Sequence, residues 1–241
     1  MRASDLTPVD VPQVDDEAIR ELRRARDESL RDRKAAQYRL NAFRLRQDIR
    51  STGQAHGRPA PLRWLAEVVC PTPAPPVVFQ EYVRAVTEPT ARLQRLEQAL
   101  QARVNTCRLA SVVEALQAWR GVQFTVAVTT VAELGDLTRL TNPKQLRSDL
   151  GLTPAEYSRG PRRSQEGIPK TGHRHARRAL VEGAWAYRDP TKVSRHLQRQ
   201  LEQLPNPIQD LRWKAQVRLC QRDRPLLARG KHANQVGVAL A

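Results

Sequence analysis

The chain has 241 residues, and its 41 Lys and Arg against 25 Asp and Glu leave a formal net charge of +16. This excess of cations is typical of a protein that binds a polyanion, foremost a nucleic acid, and it exceeds what solubility requires. Three scattered cysteines (Cys70, Cys107 and Cys220) argue against a disulfide framework or a zinc centre, and no apolar run is long enough to span a membrane. We therefore expect a cytoplasmic protein that binds nucleic acid and enters no membrane.

Two long helices are predicted for the first part of the chain, residues 1–108. Asp15 or Asp16 can cap a highly charged helix that ends near Ile49. A loop and a short helix over LRWLAEVV follow, stopped by CPTPAPP. Downstream an apolar stripe recurs every three, four or seven residues, and Pro89 inside it predicts a kink or two shorter helices. The two long helices are expected to pack antiparallel, as in a coiled coil, and to offer a surface for a homo-oligomer.

Shorter helices are predicted for residues 109–241. SVVEALQAW, FTVAVTTVAEL and LTNPKQLRSDL favour helices, the last capped by Asn142, although VQFTVAVTTV is also the best strand candidate in the chain. HARRALVEGAWAYR follows, then a helix from Pro190 through Leu204 and a last basic helix over RWKAQVRLCQRDRPLLAR. The apolar end VGVALA predicts a helix truncated at Ala241. The expected fold class is mostly α, with long coiled-coil-like helices followed by a compact all-α domain.

The stretch EYSRGPRRSQEGIPKTGHRHARRAL, residues 156–180, separates two of these helices and could be a linker, a phosphate-gripping loop or an active site. Its glycines permit close approach of a ligand to the backbone, and the helix that follows directs its positive end at the loop. Binding to a phosphate backbone is therefore the preferred interpretation. The cations that would bind it are Arg159, Arg162, Arg163, Lys170, Arg174, Arg177 and Arg178.

Three local motifs allow other interpretations. A nucleotide-binding P-loop requires a glycine before its lysine, and Pro169 stands there instead. His173 and His175 lack the further ligands that a zinc site needs, so no metal is expected. The turn at Gly121 resembles a helix-hairpin-helix, which would offer backbone N–H groups to a DNA phosphate, although a plain helix–helix turn fits it as well.

The segment from Gly135 to Arg188 resembles the C-terminal domain of DEDD-type insertion-sequence transposases, the bridge-RNA-guided recombinases. That family shows Leu-Gly-Leu-x-Pro, a Ser-Gly pair, a basic stretch, Gly-Ile-(Ser/Thr)-Lys-x-Gly and then Arg-Arg-x-Leu. The matching positions are Leu150, Gly151, Leu152, Pro154, Ser158, Gly160, Gly167, Ile168, Lys170, Gly172, Arg177, Arg178 and Leu180.

The resemblance implies a two-part active site. A RuvC-like domain would supply four acidic residues that bind Mg²⁺, this domain would supply a serine that attacks DNA, and a structured guide RNA would select the target. Asp10, Asp15, Asp16 and Glu17 do not replace that acidic domain, which is expected to be missing upstream, so no cofactor is expected in this chain.

The nucleophile position is where the chain departs from the family pattern. Ser158 is the candidate nucleophile, but the serine that directly precedes the glycine in the family corresponds to Arg159 here. A shift of one residue displaces a hydroxyl by more than about 3 Å, enough to prevent in-line attack. We therefore expect a truncated, degenerate transposase portion that binds DNA and guide RNA but is inactive by itself. The alternatives are a non-catalytic nucleic-acid-binding regulator and an enzyme half that a separate RuvC-like chain complements.

Overall fold

The computed structural model describes residues 13–49, 76–157, 159, 161, 164, 167–169, 171–202 and 204–241. The helix predicted over LRWLAEVV lies outside these residues. The described part of the chain is helical and contains no β-strand, so the prediction of a mostly α fold is confirmed. None of its helices combines the length and the apolar composition that crossing a bilayer requires.

Nine α-helices are formed by the described residues, and two short 3₁₀ turns, Leu137–Arg139 and Trp185–Arg188, accompany them. The α-helices in chain order are α1 (Val14–Arg46), α2 (Pro76–Thr106), α3 (Ala110–Gln117), α4 (Phe124–Leu134), α5 (Pro143–Asp149), α6 (Arg174–Ala184), α7 (Arg195–Leu201), α8 (Asn206–Ala228) and α9 (Ala233–Leu240). The chain divides into two compact units, a long-helix unit of Glu21–Arg103 and a second unit, here the compact unit, of Met1–Arg20 and Val104–Ala241.

The long-helix unit is an antiparallel pair made by the parts of α1 and α2 that it contains. Toward one end, Arg26 Nη2 lies 2.6 Å from Glu97 Oε1. Toward the other end, the Phe43 ring lies 6.1 Å from that of Phe79 and 5.1 Å from that of Tyr82. These aromatic contacts and the aliphatic residues buried in the same cluster stabilise the packing of two highly charged helices.

Pro89 lies within α2 without dividing it, so the alternative of two shorter helices is wrong. A proline lacks the N–H that would bond to the carbonyl four residues earlier. Its own carbonyl accepts a hydrogen bond from the Oγ of Ser29, a fully buried residue of α1, at 3.1 Å. Packing against α1 therefore offsets the local defect and keeps the helix continuous.

Helix α4 lies at the centre of the compact unit, and every residue from Ala127 to Leu134 is buried, which is all of the helix except its first turn. The strand alternative for this segment is therefore wrong. A helix surrounded on all sides is apolar on all sides, so it lacks the polar stripe that marks a surface helix. The hydroxyls of Thr129 and Thr130 each donate to a carbonyl one turn earlier, at 2.6 and 2.9 Å, which satisfies them inside the core. Helices α3 and α6 pack on α4.

An extended segment, and not the helix predicted from Pro190, follows the 3₁₀ turn Trp185–Arg188. Helix α7 starts at Arg195, where the Ser194 hydroxyl accepts a hydrogen bond from the Leu197 N–H. The carbonyls of Asp189 and Pro190, in the extended segment, accept hydrogen bonds from side chains of other elements. Helix α9 ends at Leu240 and packs on α6 and α8.

Candidate nucleic-acid interface

Two glycines bring the ends of the loop between α5 and α6 together. Gly151 and Gly172 have φ values of +60° and +81°, which side chains rarely adopt. A Cβ on Gly172 would collide with the Asp149 carbonyl, and one on Gly151 would collide with the carbonyl of Thr171. The His173 N–H donates to Asp149 O at 2.9 Å. Both positions therefore require glycine, and residues 152–171 form a loop closed at its base, here the clasped loop.

Arg177 of α6 stabilises the same base by hydrogen bonds. Its Nη1 donates to Leu150 O at 2.8 Å and to Thr171 O at 2.7 Å, on the two sides of the closure. On the α5 side, Arg139 Nη1 lies 2.9 Å from the Asp149 carboxylate. The sequence predicts that Arg177 binds nucleic acid; the structure gives its guanidinium internal partners, which position the loop.

Beyond its base the clasped loop forms a hairpin. The Ala155 N–H donates to Gly167 O at 3.0 Å, and the Tyr157 N–H donates to Ser164 O at 2.9 Å. Tyr157 is 74% exposed. Arg159, between the two hydrogen-bonded sides, is also exposed. Four predicted site residues in this region lie outside the described residues: Ser158, Arg162, Arg163 and Lys170.

The first two turns of α6 carry the remaining predicted cations. Arg174 is exposed at the N-terminal end of the helix, next to the base of the clasped loop. Arg178 is exposed and pairs with Glu182, with Nε 2.9 Å from Oε1. An exposed pair of this kind contributes little stability and can exchange its carboxylate for a phosphate. Arg159, Arg174 and Arg178 are therefore available to a polyanion.

The turn between α3 and α4 packs against α6. Gly121 has φ +81°, and a Cβ there would collide with the carbonyl of Gly183 in α6. Its neighbour Arg120 donates from Nη1 to Pro190 O at 2.7 Å. The glycine therefore permits contact between the backbones of two helical elements. Its predicted contact with a DNA phosphate stays a prediction.

Helix α8 carries a buried polar face that contacts the extended segment before α7. The Gln216 amide donates to Lys192 O at 3.1 Å, and the Cys220 thiol donates to Asp189 O at 3.4 Å. Burial, more than any neighbouring charge, raises the pKa of Tyr187 in this region to about 12. Because hydrogen bonds depend on direction, these two contacts favour one rotation of α8 about its axis.

Acidic residues at the start of α1 form ion pairs within the protein. Asp16 is fully buried and pairs with Arg108, while Glu17 Oε2 lies 2.8 Å from Arg20 Nη1. Across the described ranges, no three His, Cys, Asp or Glu side chains come together as metal ligands. The described residues therefore do not fit the Mg²⁺ that the family resemblance implies.

The compact unit contains a segment that matches a known family. Residues 113–198, from α3 into α7, match the family described as Transposase IS116/IS110/IS902 family. The clasped loop and both of its closing glycines fall inside this match. The expected resemblance to insertion-sequence transposases is therefore confirmed at the level of the transposase domain.

Two curated proteins are similar over almost the whole chain. "Putative transposase y4qE" from Sinorhizobium fredii (strain NBRC 101917 / NGR234) is 37% identical over 241 residues, which are 100% of this chain and 58% of that protein. "Transposase for insertion sequence element IS1533" from Leptospira borgpetersenii is 23% identical over 222 residues, 91% of this chain and 64% of that protein. The chain thus spans about six-tenths of the length of these relatives.

Proposed function

We propose that this chain is the DNA-contacting portion of an insertion-sequence transposase, and that the clasped loop binds the DNA backbone. The observation that carries the proposal is the closed base of this loop, which lies within the transposase match, together with the exposed Arg159 that the loop contains. A fixed base limits the entropy that the ends of the loop lose on binding, which favours contact between its cations and phosphates.

The chemistry of the loop favours contact with phosphates over reading of bases. Arginine binds phosphate through a planar fork of donors, and the positive end of α6 adds to the attraction. Such contacts orient a protein on DNA without selecting sequence, which suits the second proposed partner, a structured guide RNA that would supply selection by base pairing.

We also propose that the chain by itself transfers no DNA strand. Arg159 occupies the position at which the family resemblance places the attacking serine. A guanidinium is no nucleophile, and Ser158 is displaced from the expected position by one residue.

The DNA-binding proposal is tested by the salt dependence of affinity for a short DNA duplex. A loop variant carries Arg159→Gln, Arg162→Gln and Arg163→Gln. A matched control carries Lys34→Gln, Arg39→Gln and Arg92→Gln, three exposed cations of the long-helix unit. The slope of log affinity against log salt should fall by about 0.9 for each phosphate that the loop variant no longer binds, and it should change less in the control. An equal change in both variants, or none in the loop variant, would refute the proposal.

A further inference from the structure

We propose that the exposed face of helix α8 is a second DNA-backbone contact, separate from the clasped loop. This face, here the α8 basic face, is defined by Lys214, Arg218 and Arg222. It lies outside the segment that matches the transposase family, which ends at residue 198. The inference rests on the proposed function in that its ligand is the same DNA.

The three cations lie on one side of the helix. Positions four residues apart are neighbours on a helix surface and are separated by about 6 Å along its axis. All three side chains are exposed. They form a row about 12 Å long that winds gradually around the helix axis and offers adjacent phosphates a cation each.

The α8 basic face has little negative charge of its own. Every residue of this helix is described, and its acidic residues are Asp210 and Asp223. Asp223 is 2% exposed and lies on the opposite side, whereas Asp210 precedes Lys214 by one turn near the helix N-terminus. No ion pair within the described residues joins Lys214, Arg218 or Arg222 to a carboxylate. Unpaired cations bind phosphates without first breaking an internal contact.

The opposite face of α8 keeps the row directed outward. Arg212, Gln216 and Cys220 are buried at the same four-residue spacing, displaced around the helix from the exposed cations. Gln216 and Cys220 donate to the carbonyls of Lys192 and Asp189. The hydrogen bonds on the buried side therefore pre-organise the cations on the exposed side, and a face of this charge and rigidity fits a duplex backbone.

The test measures duplex DNA binding between about 50 and 200 mM salt. The α8 variant carries Lys214→Gln, Arg218→Gln and Arg222→Gln, and the long-helix control variant removes the same charge elsewhere. Glutamine is a good helix former, and the far-ultraviolet circular dichroism spectrum checks that the helix is retained. We expect the salt slope of the α8 variant to fall by about 0.9 for each of the three phosphate contacts.

Comparison with the loop variant separates the two proposals. A reduced slope in the loop variant and an unchanged slope in the α8 variant would overturn the α8 proposal and leave the proposed function standing. A reduced slope in the α8 variant alone would support the α8 proposal and refute the proposed binding of DNA by the clasped loop. An equal decrease of the salt slope in the α8 and control variants would indicate diffuse charge attraction and overturn the α8 proposal. A decrease seen only with an RNA hairpin as the probe, and not with duplex DNA, would also overturn it.

Discussion

Gly172 shows how a single residue decides the geometry of the candidate interface. Its positive φ and its contact with the Asp149 carbonyl leave no room for a side chain. Gly167, in the same loop, has no positive φ, and a Cβ added to it would have no neighbour within 4 Å. The two glycines therefore have different requirements although they lie only five residues apart.

Gly172→Ala should destabilise the compact unit by about 1–3 kcal/mol, because the backbone must leave its angle or the Asp149 carbonyl must move. Gly167→Ala is the matched control and should change stability by less than about 0.5 kcal/mol. Urea denaturation followed by circular dichroism measures both. Equal stabilities of the two variants would show that the closure of the loop does not depend on glycine at position 172.

At this scale the sequence predicts residue types better than residue partners. The cations of the clasped loop and its glycines are recognisable from their chemistry. The hydrogen bonds from Arg177 to Leu150 O and Thr171 O are not recognisable from the sequence. These acceptors lie 27 and 6 residues away and come within reach of Arg177 only when the loop closes. The signal that could have indicated it is a pair of glycines bracketing a loop, followed by an arginine one turn into the next helix.

Among the elements, α2 departs most from local preference. A proline inside a helix is less favourable than alanine by about 3 kcal/mol, yet α2 continues through Pro89. The Ser29 hydrogen bond to Pro89 O holds it against α1, and Val86 and Leu93 are buried on either side of the proline. Tertiary contacts thus exceed the local penalty.

Pro89→Ala should stabilise the long-helix unit by about 1–3 kcal/mol, because it restores an N–H that can bond to the Ala85 carbonyl. Pro143→Ala is the matched control. Pro143 is the first residue of α5, where proline is favourable, so its replacement should give no gain. Thermal unfolding measures the difference between the two variants. A Pro89→Ala variant no more stable than the wild type would mean that the helix is built around the proline.

Helix α4 is predicted as a helix, but its sequence leaves a strand open as the alternative. Its run of Val and Thr favours a strand by local propensity, and its burial on all sides removes the periodic polar face that would indicate a helix. By contrast, the start of α5 after Asn142 is predicted without an alternative. The Asn142 side chain caps the helix by accepting from the N–H groups of Lys144 and Gln145, so the signal lies within four consecutive residues.

The molecule as a whole combines a net charge of +16 with an arginine at the expected nucleophile position. Charge attracts DNA over distance, whereas strand cleavage needs one atom in line with phosphorus. The proposed function therefore separates DNA binding from strand transfer in this chain. The predicted homo-oligomer through the long helices, and the predicted domain boundary after residue 108, stay predictions.

The purified chain, incubated with end-labelled DNA and Mg²⁺, should form no covalent protein–DNA adduct that survives detergent. The reason is that Arg159 stands where the serine is expected. Denaturing gel electrophoresis measures the adduct, and duplex binding by the same preparation shows that the protein is folded. An adduct that Ser158→Ala abolishes would show that Ser158 attacks DNA, contrary to this prediction.

The sequence by itself determined the helical fold class, the cationic character, the capped short helices and the resemblance to insertion-sequence transposases. These depend on composition or on residues a few positions apart. Only the tertiary structure excluded the strand alternative for α4 and decided that α2 passes through Pro89, that Arg177 closes a loop and that one face of α8 is directed outward. Each of these depends on contacts between residues distant in the chain, whose energies outweigh local preference once the core has formed.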